Sequence, residues 1–155
     1  MDTAARIRDV LSANHVMTLA CRDLQGCWAS AVFYAADEFD LLFCSSAESR
    51  HVRALTVDDR PAAEIHAPAS DWQSIVGLQL SGHVHALPGA QADAARAHYA
   101  RRFPFIAGGA DPALARSLRS VAWFCYRIER AVLIDNARGF GQRAAWYRAQ
   151  PNPSE

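Results

Sequence analysis

The sequence predicts a mainly β (α+β) domain, an antiparallel sheet curled into a small barrel with peripheral helices. Three observations predict it. About six or seven segments are alternating, β-branched or aromatic in the manner of strands. The helical segments stand isolated between them rather than alternating strictly with them. Neither GxGxxG nor GxxxxGK[ST] occurs, so no dinucleotide fold or P-loop is signalled. With 155 residues the chain has the length of one domain, read as 1–150, with PNPSE (151–155) as a frayed end.

Each element has a local reason. Ile7, Val10 and Leu11 fall at helical spacing over residues 3–13, and Asn14 stands where a C-cap belongs. HVMTLACR (15–22) and CWASAVFYAA (27–36) flank the turn DLQG, and the second continues through DEF into DLLFCSS (40–46), which predicts a three-strand meander. SRHVRALTVDD (49–59) reads as a helix with Val52 and Leu55 on one face. PAAEIHA (61–67) and IVGLQLSGHVHAL (75–87) read as strands. The alanine-rich run from Ala90 to Arg102 predicts a helix, and Asp111 with Pro112 forms an N-cap and N1 pair for another reaching about Arg119. FPFIAGG is the loop between them. SVAWFCYRIERAVLIDN predicts two strands joined near Glu129 and Arg130, and GFGQRAAWYR follows.

Composition narrows the chemistry. Acids and bases balance at 16 each, which removes the global field of a nucleic-acid or anionic-membrane binder. All basic side chains are arginine, which excludes a lysine Schiff base. Cys21, Cys27, Cys44 and Cys125 show no CxxC spacing, and a reducing cytoplasm suits them. MDTAARIRDVLSANH lacks the apolar region of a signal peptide, and no apolar run is long enough to span a bilayer. The expectation is therefore a cytoplasmic protein with no membrane and no nucleic-acid partner.

The most informative segment is FCSSAESRHVRALTVDDRP (43–61), where a strand ends in hydroxyl residues and a helix begins. Ser45, Ser46 and Ser49 can donate hydrogen bonds, first-turn N–H groups point the same way, and Arg50 offers a bidentate guanidinium, a donor set suited to phosphate. The same spacing is also met by a serine that only caps the helix beside a solvated arginine.

This segment resembles the phosphate-gripping stretch of the pyridoxamine 5'-phosphate oxidase-like FMN-binding split barrels, in which a small hydroxyl residue ends the strand and a Ser-Arg-Lys run opens the helix. Here the run is Ser49, Arg50, His51. The likeness covers most of the domain. HYARRFP (98–104) and the DNxxGFG...W pattern from Asp135 to Trp146 are similar to a small bacterial branch. The resemblance implies a split β-barrel homodimer with FMN at its interface. Ala29, Ser30, Ala31 and Val32 would then face the isoalloxazine, Ser45 would lie beside it, Ser49, Arg50 and His51 would take the phosphate, and Ser46 of the hydroxyl strand end would count among the cofactor-binding residues. His51 stands where the oxidases have lysine, and Gly77 where they have a flavin-contacting glutamine. The arginine and histidine that clamp pyridoxamine in the oxidases have no counterpart in RGFGQRAAWYR, so vitamin B6 synthesis is not expected.

The implied activity is flavin-dependent oxidoreduction with a nicotinamide donor or a small-molecule substrate. The flavin carries the hydride, and no catalytic side chain is assigned. The alternative is a non-catalytic binding or storage module for flavin or haem, with His51, His83 or His85 as candidate axial ligands. His83 and His85 alternate on one strand face with Gln79, and no third ligand completes a metal set, so no metal is expected. Cys44, next to the proposed flavin, would need a lowered pKa for a redox role. Arg96, Arg101 and Arg102 read either as a pocket lip or as a basic helix end complementing its dipole. GFG (139–141) reads as a close backbone approach to a ligand or as a turn. Trp123, Phe124 and Tyr126 read as barrel core or dimer seam.

Overall fold

A computed structural model describes residues 2–106 and 111–150. The end of the FPFIAGG loop and the PNPSE tail lie outside them. The described chain runs α1 (Thr3–Ala13), β1 (Val16–Asp23), β2 (Gly26–Phe33), β3 (Ala35–Asp37), β4 (Asp40–Ser46), α2 (Arg50–Leu55), β5 (Ala62–His66), β6 (Val76–Ala86), α3 (Gly89–Arg102), α4 (Pro112–Arg119), β7 (Val121–Asp135) and β8 (Arg143–Tyr147). The caps expected from sequence form. Asn14 Nδ2 donates to the Val10 carbonyl at 2.8 Å, and Asp111 Oδ1 accepts from the N–H groups of Ala113 and Leu114 at 2.8 and 3.2 Å.

All strands belong to one antiparallel eight-stranded sheet in the order β2-β1-β5-β6-β7-β4-β3, with β8 also on β7. The predicted meander is not what forms. β1 and β2 make one hairpin and β3 and β4 another, on opposite edges of the sheet. Only Tyr34 separates β2 from β3, so the two edges must meet there, and the sheet curls into a barrel that is open between them. The wholly buried Tyr34 is the clasp. Its N–H donates to the His15 carbonyl and its phenol to the Leu11 carbonyl, both at 2.9 Å, which draws the chain inward and leaves β2 and β3 on different ladders.

Helix α2 is shorter than the 49–59 reading. Beyond Thr56 the chain leaves the helix, and the Asp59 carbonyl accepts from the N–H of Val84 at 2.8 Å, joining this segment to β6. The interior is filled by alternate strand residues, among them Met17, Leu19, Phe43, Ile65, Leu78, Tyr126 and Ile128. Ile7, Val10 and Leu11 of α1 and Val52 and Leu55 of α2 pack into the same core. A smaller cluster forms outside the barrel, where Ala95 and Tyr99 of α3 cover Trp123 and Ala35. The aromatic trio of β7 is thereby divided: Phe124 and Tyr126 enter the main core, and Trp123 lies under α3.

β7 is one strand of 15 residues, not two joined near Glu129 and Arg130. The register against β6 shifts between Ser81, opposite Arg130, and Gly82, opposite Ile128, so Glu129 is the extra residue of a β-bulge. The charged pair marks a bend in a continuous strand. Its first half pairs with β4 and its second with β8. Near the bend the buried Tyr126 phenol donates to the Pro61 carbonyl at 3.1 Å. Tyr126→Phe should cost about 1–2 kcal/mol, read as a lower thermal midpoint, because the carbonyl keeps its burial and loses its donor.

Candidate functional site

The strand-to-helix corner is built on its own hydrogen bonds. Ser49 caps α2: its Oγ accepts from the Val52 N–H at 3.4 Å and donates to the Ser46 carbonyl at 2.7 Å. His51 Nε2 lies 2.8 Å from Ser45 Oγ and 3.3 Å from Ser49 Oγ. The donor between His51 Nε2 and Ser45 Oγ is set by the imidazole tautomer, and the 2.8 Å contact engages the two groups with each other in either case. Ser46 Oγ accepts from the Glu48 N–H at 3.2 Å and keeps its own proton for another acceptor. Burial holds the His51 imidazole below its ordinary value, which keeps it neutral near pH 7.

Arg50 points elsewhere. Its Nε donates to Asp23 Oδ2 at 2.8 Å and its Nη2 to Asp23 Oδ1 at 3.2 Å. Its guanidinium carbon stands 4.4 Å from the centre of the Trp28 ring. The pair holds the Asp23 carboxyl below the usual carboxylate range and raises Arg50. The structure thus joins Ser45, Ser46, Ser49 and His51 directly, while Arg50 is turned to the end of β1. Asp23 and Trp28 were missed in the sequence because DLQG reads only as a turn, and no local pattern pairs residues 27 positions apart.

Among the described residues β2 is an edge strand, paired only with β1. Ala29 and Ala31 are exposed, Ser30 is half-buried, and Val32 is buried in the core, so Val32 can offer a ligand only its backbone. The strand register continues from Ala31 through Thr18, Glu64, Gln79 and Val132 to Ala145. A second row runs from Ala29 through Ala20, Ala62, Ser81 and Arg130 to Tyr147. Ala20, Ala29, Ala31, Ala62, Ser81 and Ala145 give this outer face, which reaches from β2 to β8, exposed small side chains beside the longer Glu64, Gln79, Arg130 and Tyr147. On it lies a cavity of about 530 Å³ flanked by Glu64, Arg130 and Arg143, within the usual range of small-ligand sites.

The remaining candidates have structural partners. His83 Nδ1 lies 3.1 Å from Glu129 Oε1, and the rings of His83 and His85 are 5.8 Å apart. Burial pushes the half-buried Cys44 thiol up to about 11, the opposite of what redox reactivity requires. Arg102 donates to the Ser12 carbonyl and Arg101 to His98 Nδ1, which ties the end of α3 to its surroundings. Gly139 and Gly141 both have positive φ in the turn before β8, held by Asn136 Oδ1 accepting from the Gly141 N–H at 3.1 Å. No helix among the described residues is long and apolar enough to cross a membrane.

No family model matches the chain. It is 28% identical over 151 residues to the UPF0306 protein YhbP of Escherichia fergusonii, covering 96% of each chain. It is 26% identical over 152 residues to a UPF0306 protein of Yersinia pseudotuberculosis serotype O:3, covering 97% of each. Among solved structures, a heme binding protein from Mycobacterium smegmatis superposes with a TM-score of 0.74 at 25% identity, over 95% of this chain and 59% of that one. The chain thus spans a little under two thirds of that protein's length. A FAD-binding protein from Mesorhizobium loti gives a TM-score of 0.62 at 19% identity, over 84% of this chain and 92% of that one. A candidate pyridoxamine 5'-phosphate oxidase from Listeria innocua gives 0.66 at 12%, over 86% and 99%. The chain has the split-barrel fold of the pyridoxamine 5'-phosphate oxidase-like proteins, a fold that carries different cofactors in different members.

Proposed function

We propose that the protein is a binding module for a flat cofactor held at the seam of a homodimer, with FMN as the ligand its corner chemistry fits best. The observation that carries this reading is a juxtaposition. An edge strand, β2, runs beside a corner where Ser46 keeps a free hydroxyl proton, Ser45 meets the neutral His51, and Arg50, paired with Asp23, stands next to them in sequence. An isoalloxazine needs a flat surface with backbone donors and acceptors, which an unpaired edge supplies. A phosphate needs hydroxyl and guanidinium donors. Ala29, Ser30, Ala31 and the Val32 backbone would hold the ring, and Ser45, Ser46, Ser49, Arg50 and His51 the tail. The second copy would cover this outer sheet face, where exposed alanines otherwise meet water.

The corner residues bind and orient. His51 is neutral and held through Nε2, and Arg50 is paired, so the groups present suit holding a ligand rather than moving protons. Bound FMN supplies its own hydride acceptance and donation, so oxidoreductase activity follows only if a nicotinamide or other donor reaches it. Haem is the second reading, favoured by the likeness to the heme binding protein of M. smegmatis, with His51, His83 or His85 as ligand.

An absorption spectrum of freshly purified protein, followed by reconstitution with FMN and with haem, tests the reading. Flavin bands are expected. A Soret band would replace FMN with haem, and a colourless protein that takes up neither would remove both. If flavin is bound, bleaching by NADH or NADPH would make the module an enzyme.

A further inference from the structure

Resting on that reading, we propose that Asp23 sets the charge preference of the corner, so that the protein accepts an isoalloxazine whose tail is neutral about as well as one ending in a phosphate dianion. Arg50 is the cation the phosphate would use, and Asp23 already takes it through Nε and Nη2, at 2.8 and 3.2 Å. Asp23 is also held independently of Arg50. Its Oδ1 accepts from the Gln25 N–H at 2.8 Å within the β1–β2 turn, which fixes the carboxylate at the strand end. Stacking on Trp28 fixes the other partner.

A phosphate approaching this guanidinium therefore meets a carboxylate that does not readily swing away, and like charges at short range oppose each other. Of the neighbouring groups His51 is neutral, and Arg53 keeps its charge while giving one donor, Nη1, to the Glu48 carbonyl at 2.6 Å. The Ser46 hydroxyl and the Ser45–His51 pair are neutral groups, and they serve the hydroxyls of a ribityl chain as well as a phosphate oxygen. The geometry points to a ligand class defined by its ring, with the anionic group a secondary feature.

The test is a fluorescence titration of FMN and riboflavin, which differ only in the phosphate, against the wild type, Asp23→Asn and Asp23→Ser. Both substitutions keep an oxygen for the turn and remove the charge. The wild type should bind the two flavins within about 10-fold of each other. Each variant should shift the ratio toward FMN by roughly 10-fold or more, the size expected for a charge-assisted hydrogen bond set free, with riboflavin affinity unchanged. An unaltered ratio in both variants, or a wild type that already prefers FMN by more than about 10-fold, would overturn the role of Asp23 while leaving the flavin site standing. Absence of binding of either flavin to all three proteins would remove the flavin reading and this inference together.

Discussion

Arg50→Ala is expected to weaken FMN binding by roughly 10-fold or more, up to about 150-fold, with riboflavin affinity changed less than about threefold. The main effect is the charge left behind: without Arg50 the Asp23 carboxylate, now paired only with the turn, faces the incoming dianion. Loss of a charge-assisted partner is worth about 1.5–3 kcal/mol, which sets the range. Riboflavin lacks the phosphate and serves as the internal control, since any general loosening of the corner lowers both affinities. Parallel titrations check the result. If FMN affinity is unchanged, Arg50 is a structural partner of Asp23 and Trp28 alone, and the corner is no anion site.

Gly82→Ala is expected to be the most damaging single methyl in the barrel. A Cβ at this position would lie 2.0 Å from the Arg127 carbonyl oxygen and 3.1 Å from the Ile128 Cα. Both are backbone atoms of β7, so relief requires moving the strand. β7 cannot move alone, because residues on either side of the bulge pair with β6 and its other edge carries β4 and β8. Overpacking of this kind costs about 3 kcal/mol, which in a domain of this size lowers the thermal midpoint by roughly 6–12 °C or prevents folding. Ser81→Ala, one residue away on the exposed face, is the control and should melt within about 2 °C of the wild type. A stable Gly82→Ala would mean that β6 and β7 do not approach each other this closely.

The two predictions concern features of unequal legibility. The site prediction starts from Ser45, Ser46, Ser49, Arg50 and His51, all visible as hydroxyl, cation and imidazole at one strand-to-helix corner. What the spacing left open was whether Arg50 faces a ligand or serves the fold. The structure answers with Asp23, which lies in a different hairpin and becomes a neighbour only because β1 and α2 pack together. The bulge was half legible. Glu129 and Arg130 interrupt an apolar run, and an interruption in a strand pattern reads equally as a turn or as a kink. The choice rests on β6, where Gly82 makes room for the Arg127 carbonyl. Arg60 and His83 also meet the Glu129 side chain there.

Local chemistry sufficed for the strand and helix segments, the caps at Asn14 and Asp111, and the hydroxyl-rich corner, because side-chain period and capping act over a few residues. Tertiary structure alone decided that the two hairpins lie on opposite edges joined through Tyr34, that β7 runs unbroken, and that Arg50 is held by Asp23. These depend on which strands become neighbours and in what register. That pairing is set by burying one shared core, Ile7 and Leu11 with Met17, Phe43 and Tyr126, whose members come from distant parts of the chain. No short window contains that information.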